Sequence, residues 1–377
     1  MRVVHVVKVK GVAGAENHLL ILLDGLRKRG IDAEFLLLVE PSLPVDEMVQ
    51  AAEARGIPAH RVIIRGNADL GLYRRLWREL RTRKPDIVHT HLLHADLFAI
   101  PVAWLMRFTG KRPIIISSRH NDDAFRVQRY QRVLNNLLWR MSDAGIAISE
   151  AVRRFSIDVE GVRPDRIHTI YYGYQTEPGD PAALRREVRE ELGIPPEQTV
   201  IGMVCRLIEQ KGIPYGIQAF GQIAEQFPDT ILLIVGEGKL RSSLEAQVKT
   251  LKLENRVRFL GWRADGARVM AGFDIFLMPS LWEGFGLVML EAMAHGLPII
   301  GSAVSAIPEV VVNGETGLLV PPRDENRLAE AMTMLLRDAP LRKHMGLMGL
   351  ERLETHFSVA KMVDETVALY EQLTLHE

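Results

Sequence analysis

Short apolar runs alternate with longer amphipathic segments along almost the whole chain. In the first half, the runs rich in β-branched residues have the length and composition of buried parallel strands: VVHVV (3–7), AEFLLLV (33–39), DIVHTH (86–91), PIIISS (113–118) and AGIAIS (144–149). Between the first two, AENHLLILLDGLRKRG places leucines on one helical face and ends at Gly30, a typical helix stop. This alternation predicts a doubly wound α/β sheet.

A second series follows a cluster of turn formers, YYGYQTEPGDPAA (171–183). Its strand-like runs are TVIGMVC (199–205), TILLIVG (230–236), RVRFLG (256–261), IFLMPS (275–280), LPIIGS (297–302) and GLLVPP (317–322). With 377 residues, the chain is long enough for two cores. We predict an N-terminal Rossmann-like domain, 1–176, and a C-terminal one, 177–357, that face each other across a cleft. The helical segment 358–377 is expected to return to the first domain.

Charge and cysteine content narrow the class of protein. Lys plus Arg and Asp plus Glu number 47 each, so no net field would draw the chain to nucleic acid. The only cysteine, Cys205, lies in an apolar run, which excludes an internal disulfide, favours a buried thiol and suits a reducing cytoplasm. We find no run of membrane-spanning length and no signal peptide. The expected location is cytoplasmic.

The segment LYRRLWRELRTRKP (72–85) is strongly basic and has leucines at helical spacing. The favoured interpretation is a solvated helix face whose leucines enter the domain core. The alternative is peripheral contact with an anionic membrane surface.

Two loops that follow predicted strands have the composition of phosphate sites. In KGVAGAENHLL, Gly11 and Gly14 permit close backbone approach, and the helix that follows presents free amides. The spacing matches neither the GxGxxG fingerprint nor a P-loop, and a plain tight turn is an equal alternative. In GMVCRLIEQKG, Arg206 and Lys211 come directly after a strand. Both are good phosphate ligands, and a solvated loop is the alternative.

The stretch EGFGLVMLE (283–291) places two carboxylates around a helix start. The first helical amides, at Leu287 and Val288, are suited to an anionic phosphate. Glu283 and Glu291 are suited to hydroxyl donors at either end of the same ligand. Alternatives are a purely structural pair of acids and a glycoside hydrolase with two carboxylates, which the intervening amides make the weaker interpretation.

EGFGLVMLE resembles the E-x7-E element of retaining GT-B glycosyltransferases of family four, also called group 1. Other segments match the family in the same order and cover nearly the whole chain: GAE (14–16), PDIVHTHLLHA (85–95), RLIEQKG (206–212), LLIVGEG (232–238), RVRFLG (256–261) and IPEVVVNGETGLLVPP (307–322). The resemblance implies the GT-B fold and transfer of a sugar from a nucleotide-diphosphate sugar.

The resemblance also implies roles for individual residues. The cations matching Arg206 and Lys211 bind the donor diphosphate, the acid matching Glu283 holds hydroxyls of the donor sugar, and the acid matching Glu291 holds the ribose. His120 matches a histidine that approaches the transferred sugar, where it would orient the sugar or stabilise developing charge. Other expected donor contacts are Gly14, Gly236, Gly261, Trp262, Arg263, Gly284, Phe285, Gly286, Leu287 and Val288.

The family needs no metal or other cofactor, and the sequence shows no DxD-like acid pair in a suitable loop. The spacing of His91 and His94 is not by itself a metal signature, and packing or acceptor contact is favoured. Two features depart from the family pattern. SAVSAIPE has Ser305 and Ala306 where a glycine pair is common, and YYGYQ (171–175) replaces an asparagine-glycine turn.

We therefore predict a metal-independent, retaining glycosyltransferase that uses a UDP-sugar and a hydroxyl acceptor, in the synthesis of polysaccharides or glycolipids. A lipid-linked or small soluble acceptor fits equally. The alternatives are a non-catalytic sugar-nucleotide-binding subunit and an epimerase or phosphorylase of the same fold. The four charged residues Arg206, Lys211, Glu283 and Glu291 argue against a non-catalytic subunit.

Overall fold

The chain forms two compact units. The computed structural model describes residues 1–9, 11, 14–43, 45–66, 69–110, 112–120, 128–176 and 178–375. Unit 1 comprises 1–173 together with 359–377, and unit 2 comprises 174–358. Residue 177, where the sequence-based C-terminal domain begins, and the last two residues of the expected helix, 376 and 377, lie outside the described residues.

Unit 1 contains a seven-stranded sheet in the order β3-β2-β1-β4-β5-β6-β7. All neighbouring strands are parallel. The strands are β1 (Arg2–Lys8), β2 (Asp32–Val39), β3 (Ala59–Ile63), β4 (Ile87–His91), β5 (Ile114–Arg119), β6 (Ala144–Ala147) and β7 (Ile167–Thr169). The strand order reverses between β1 and β4. In a doubly wound sheet this reversal opens a crevice at the carboxyl ends of the strands, where ligands bind.

Helices cover this sheet and create two hydrophobic layers. They are α1 (Gly14–Lys28), α2 (Asp46–Glu53), α3 (Gly71–Arg83), α4 (Leu92–Met106), α5 (Arg129–Met141), α6 (Glu150–Asp158) and, from the other end of the chain, α15 (Val359–Leu375). The leucines of α3, Leu72, Leu76 and Leu80, are fully buried, in agreement with the favoured interpretation of that basic segment. On the opposite layer, α15 packs on α1, and a Cβ added to Gly25 would lie 2.3 Å from a methyl of Val363.

Arg119, the residue directly before His120, belongs to a buried triad of charged side chains. The guanidinium of Arg119 contacts both Asp96 and Glu160, and all three side chains are at most 1% exposed. Burial lowers the pKa of Arg119, but the two carboxylates raise it further, so the pKa lies above its ordinary value. Glu160 also accepts from Trp139 Nε1 at 3.0 Å and from Asn135 Nδ2 at 3.1 Å. Because its charges are paired and hydrogen-bonded, the triad can exist in the core.

Unit 2 contains a six-stranded parallel sheet in the order β10-β9-β8-β11-β12-β13. Its strands are β8 (Thr199–Val204), β9 (Thr230–Val235), β10 (Val257–Gly261), β11 (Ile275–Met278), β12 (Ile299–Ser302) and β13 (Gly317–Val320). The surrounding helices are α7 (Pro181–Glu191), α8 (Ile213–Ile223), α9 (Arg241–Thr250), α10 (Gly266–Val269), α11 (Leu287–Ala294), α12 (Ile307–Val310), α13 (Glu325–Arg337) and α14 (Ala339–His356). The order reverses between β8 and β11, which marks the expected ligand edge.

The predicted fold class, two doubly wound Rossmann-like α/β domains, is confirmed by these two parallel sheets. Among the described residues, no helix is both long enough and apolar enough to cross a membrane.

Candidate active site

At the carboxyl edge of the unit 2 sheet, the loop after β8 is hydrogen-bonded to the loop after β11. The amide of Leu281 donates to the carbonyl of Gln210 at 2.7 Å, and Gln210 Nε2 donates to the carbonyl of Trp282 at 3.1 Å. Gly212 makes this approach possible because a Cβ there would lie 1.9 Å from the carbonyl oxygen of Pro279. Its φ of 61° also favours glycine. The two predicted charge-bearing loops are therefore neighbours.

This contact pairs Lys211 with Glu283. Lys211 Nζ lies 2.6 Å from Glu283 Oε2, and the two side chains are 13% and 11% exposed. Arg206, on the same loop, is exposed, and no acidic side chain of the described residues pairs with it. Cys205 precedes it, and burial raises the pKa of its thiol to about 12. Such a thiol is inert, which supports the structural interpretation of the only cysteine.

Helix α11 begins immediately after these acids and glycines. Gly286 precedes the helix with a φ of 84°, and its carbonyl accepts the first intrahelical bond, from the amide of Met289 at 2.8 Å. The amides of Leu287 and Val288 come before that bond and have no acceptor within the helix. A Cβ on Gly286 would lie 2.9 Å from the end methyl groups of Met278 and Met289. The backbone here is suited to receive an anionic ligand group.

Glu291 lies inside α11 and is half-buried, flanked by the fully buried Leu290 and Ala292. Desolvation by burial raises the pKa of its carboxyl group. Within the part of the chain that the structure describes, no donor bonds to this carboxylate. A half-buried acceptor of this kind gains free energy from a ligand hydroxyl.

The other expected donor residues occupy the same sheet edge with different exposures. Gly236 has a φ of 130°, and its amide donates to the carbonyl of Gly261 at 2.7 Å. Trp262 is 73% exposed. The guanidinium of Arg263 pairs with Glu191 at 2.6 Å and with Asp265, so the arginine side chain is already engaged by protein carboxylates.

Phe285 lies between the two glycines of the element, and its ring is 2% exposed. It packs edge-on against Phe357 at 5.8 Å. The ring is thus part of the core, which leaves the backbone of Phe285 as the group that a ligand could meet. The structure brings Arg206, Lys211, Glu283 and the start of α11 together in unit 2.

Unit 1 contains the two remaining candidates, Gly14 and His120. Gly14 is the first residue of α1, and Glu16 supplies an acid in the first turn of that helix. Lys10, Val12 and Ala13 of the preceding loop lie outside the described residues. His120 directly follows β5, at the carboxyl edge of the sheet, and is partly exposed.

His120 belongs to a group of five histidines. This histidine group consists of His5, His18, His89, His91 and His120, whose neighbouring rings lie 4.3–6.2 Å apart. His120 Nε2 lies 3.2 Å from His91 Nδ1, and His120 Nδ1 lies 2.5 Å from the hydroxyl of Tyr172. Desolvation by burial lowers the pKa of His5 to about 3. Burial likewise takes the pKa of His18, His89 and His91 well below the ordinary value.

Sequence reasoning missed this group. It treated His91 together with His94, whereas strand pairing places His5 opposite His89 and Val7 opposite His91. The available signal was a histidine inside β1 and two at alternate positions of β4, because alternate residues lie on one face of a strand.

Three members, His5, His89 and His91, each bring a ring nitrogen within 4.8 Å of the others, a spacing that could hold a metal ion. However, both nitrogens of His89 have hydrogen-bond partners: Nδ1 lies 2.6 Å from the hydroxyl of Tyr370, and Nε2 lies 2.7 Å from Ser118 Oγ. We therefore describe the group as a hydrogen-bonded network.

The two Rossmann-like units and the cation-carboxylate edge of unit 2 define the class of GT-B glycosyltransferases. Residues 12–178 match the family described as Glycosyltransferase Family 4, and residues 185–351 match Glycosyl transferases group 1. The chain belongs to this family of group 1 glycosyltransferases.

Individual relatives agree. N-acetyl-alpha-D-glucosaminyl L-malate synthase of Bacillus anthracis is 30% identical over 305 residues, 80% of this chain and 78% of the relative. UDP-Gal:alpha-D-GlcNAc-diphosphoundecaprenol alpha-1,3-galactosyltransferase of Escherichia coli is 29% identical over 312 residues, 80% of this chain and 79% of the relative. Among solved structures, Anabaena HepE in complex with UDP and glucose has a TM-score of 0.82 at 23% identity, covering 99% of this chain and 100% of that one.

Proposed function

We propose that this glycosyltransferase is retaining and metal-independent and transfers a sugar from a nucleotide-diphosphate sugar to a hydroxyl acceptor. The observation that carries the proposal is the arrangement in unit 2. Arg206, the Lys211–Glu283 pair and the free amides at the start of α11 share one sheet edge, and Glu291 follows them on the helix. Cations and helix amides neutralise a diphosphate without a metal ion.

The proposed mechanism uses each of these groups on one ligand. Hydroxyls of the donor sugar bind Glu283, the ribose binds Glu291, and the diphosphate lies between them. The bond between the sugar and the diphosphate breaks, and Arg206, Lys211 and the α11 amides stabilise the departing charge. The acceptor hydroxyl forms the new bond on the same face, and an oxygen of the leaving diphosphate takes its proton.

A UDP-sugar is the favoured donor. The E. coli relative is named for a UDP-Gal donor, and the solved Anabaena neighbour holds UDP and glucose. Ser305, with a φ of 46°, stands where the family commonly has glycine. The next amide, of Ala306, donates to the carbonyl of Glu283 at 3.4 Å. The added side chains therefore lie near the sugar-binding acid and narrow the space for the transferred sugar.

The acceptor is proposed to be a lipid-linked glycan or a small hydroxyl compound, because the two relatives are named for diphosphoundecaprenol and L-malate acceptors.

For a lipid-linked acceptor, we assign contact with an anionic membrane surface to α5. Tyr130, Val133 and Leu137 are 64%, 67% and 49% exposed along one helix face. Arg132 and Arg140 are exposed on the same helix. Apolar side chains with neighbouring cations suit such a surface.

The proposed function is tested first by stabilisation of the enzyme against thermal unfolding by ligands, and then by an assay of donor hydrolysis. The enzyme is unfolded thermally with UDP-, GDP- and ADP-sugars, and the best stabiliser is then assayed for slow donor hydrolysis. A UDP-sugar should raise the unfolding temperature, since binding to the folded state stabilises it, and the released sugar should keep the donor's anomeric configuration.

Other product patterns would support the alternatives. Binding without transfer or hydrolysis would indicate a non-catalytic binding subunit, and an epimerised nucleotide sugar or a sugar phosphate would indicate an epimerase or a phosphorylase. An inverted product would contradict the retaining mechanism.

A further inference from the structure

The histidine group contains a single row of hydrogen bonds that leads to His120. We call His5, His91, His120 and Tyr172 the imidazole row. Its three contacts are His5 Nδ1 to His91 Nε2 at 2.9 Å, His91 Nδ1 to His120 Nε2 at 3.2 Å, and His120 Nδ1 to the Tyr172 hydroxyl at 2.5 Å. Of these four residues, only His120 is more than 4% exposed. It is therefore the member of the row that a ligand can reach.

Neutral rings allow only two proton arrangements along this row. Burial keeps His5 and His91 neutral near pH 7, and a neutral imidazole carries one N–H. A contact between two ring nitrogens is a hydrogen bond only when one of them carries the proton. When each of the three rings carries one N–H, all three contacts are filled only if every proton points toward Tyr172 or every proton points toward His5.

The far end of the row distinguishes the two arrangements. His5 Nε2 is buried and has no hydrogen-bond partner in the described part of the chain. If the protons point toward His5, this atom is an N–H donor without an acceptor. If they point toward Tyr172, the atom is only a bare acceptor. Buried donors without a partner are rarer in proteins than acceptors with unused lone pairs. The unpartnered Nε2 of His5 therefore favours the arrangement in which the protons point toward Tyr172, whose hydroxyl then accepts from His120.

We propose that the imidazole row fixes His120 as the tautomer protonated on Nδ1, with Nε2 as the acceptor, and that His5 and His91 are positioning residues for the transfer reaction. The second part rests on the proposed function. A ligand hydroxyl that reaches His120 would donate to Nε2 in place of His91 Nδ1, whose 3.2 Å contact is the longest in the row, and would accept from the displaced His91 N–H. The row thus presents a lone pair of His120, not a proton, to a ligand.

His89 provides a matched control within the same group. Its ring centroid lies 4.3 Å from that of His91, yet its nitrogens bond to Tyr370 and Ser118 and not to any member of the row. Replacing His89 by Phe removes a buried imidazole at the same depth without opening the row.

The test is a long-range ¹H–¹⁵N spectrum of the full-length enzyme labelled with ¹⁵N-histidine near pH 7. The His120 signals are identified by their absence from His120→Ala. We expect a protonated Nδ1 and an unprotonated Nε2. In His91→Phe and His5→Phe the row is broken, and His120 should become a tautomer mixture. His91→Asn retains an amide donor for His120 Nε2 and should restore the fixed tautomer, while His89→Phe should leave it unchanged.

Addition of the best stabilising nucleotide sugar separates this inference from the proposed function. Donor binding should shift the His120 Nε2 signal while that atom stays unprotonated. A His120 protonated on Nε2, or one unaffected by both row variants, would overturn the proposal even when the donor binds. A fixed Nδ1–H tautomer that no sugar nucleotide perturbs would support the row and would count against the donor site instead.

Discussion

The two sheet edges share a topology but use polar residues in opposite ways. In unit 1 the ring nitrogens and charges at the edge bond mainly to one another, as in the imidazole row and the Arg119 triad. In unit 2, Arg206 and Glu291 have no protein partner among the described residues. Arg206 is exposed to solvent, whereas the half-buried Glu291 carboxylate is costly without a partner, and we propose that a ligand completes this edge of unit 2. The unit 1 edge orients the single residue His120.

The largest expected effect is on the free energy of unfolding, and it concerns the charged groups of unit 1 that pair with one another. Glu160→Ala leaves Arg119 buried with only Asp96 as a counter-charge. Removing one partner of a buried ion pair costs about 3–5 kcal/mol, so the free energy of unfolding should fall by that amount in denaturant titrations. Glu330→Ala, which breaks the exposed pair with Arg327, is the control and should leave the free energy of unfolding nearly unchanged, because exposed ion pairs contribute little. Similar losses in the two variants would show that the triad is not structural.

The second prediction concerns Arg206, the exposed cation of unit 2 that has no acidic partner among the described residues. Arg206→Ala should lower donor turnover about 10²–10³-fold, the size of effect seen when a donor to a developing negative charge is removed. Its unfolding temperature should stay near that of the wild type, since the side chain is exposed. Lys211→Ala should also lower turnover by orders of magnitude. Lys343→Ala, an exposed lysine on α14, is the matched control. Near-normal turnover in both Arg206→Ala and Lys211→Ala would contradict the proposal that these cations stabilise the departing diphosphate.

The third prediction separates ligand binding from stability at Glu291. Its folded-state pKa lies above the ordinary value of 4.5 because of burial. Below the unfolded pKa both states are protonated, and the residue has no effect. As the pH rises through the folded pKa, the unfolded state has already lost its proton, so stability falls and stays lower. Glu291→Gln should therefore be more stable than the wild type near pH 7 and equal to it near about pH 4.

The same variant should bind the donor less tightly, by about 10–100-fold, because a hydrogen bond to a charged group contributes about 1.5–3 kcal/mol. Titration of the best sugar nucleotide by calorimetry, together with unfolding at both pH values, measures the two effects. A variant that gains stability and keeps full donor affinity would leave Glu291 as a structural residue only.

The smallest expected effect tests the proposed membrane face. Val133→Asp with Leu137→Asp should lower binding to anionic vesicles about tenfold, roughly 1.4 kcal/mol, without changing donor hydrolysis. The control is Leu347→Asp, which alters an equally exposed leucine (56%) on α14. Binding that is the same for anionic and zwitterionic vesicles, or unchanged in the double variant, would contradict the assignment to α5.

The core strands were predictable from sequence, and the edge strands of unit 1 were not. Continuous apolar runs indicate buried parallel strands, and each such run became a strand in the structure. By contrast, β3 has a single buried residue, Val62, and β7 has only three residues. An edge strand is covered less completely than a central one, so its sequence lacks the apolar run that signals the others.

The residues of the candidate site also differ in how far the sequence could predict them. Arg206, Lys211 and Glu283 could be proposed because each follows an apolar strand, and parallel strands end at one edge. The bond between Lys211 and Glu283 additionally depends on the pairing of β8 with β11. The imidazole row depends on strand order too, since His5 meets His91 only because β1 pairs with β4. Hydrophobic periodicity contains no information on which strands are neighbours.

The return of α15 to unit 1 has a consequence for protein synthesis. Unit 2 is one continuous stretch, 174–358, whereas unit 1 needs residues from 359 onward. During translation, the second unit therefore emerges complete before the first one is. Until the final helix leaves the ribosome, α1 lacks the partner that packs at Gly25, and His89 lacks the hydroxyl of Tyr370. Unit 1 is thus completed later than unit 2, and a stop codon shortly before residue 370 would damage the unit whose synthesis began first.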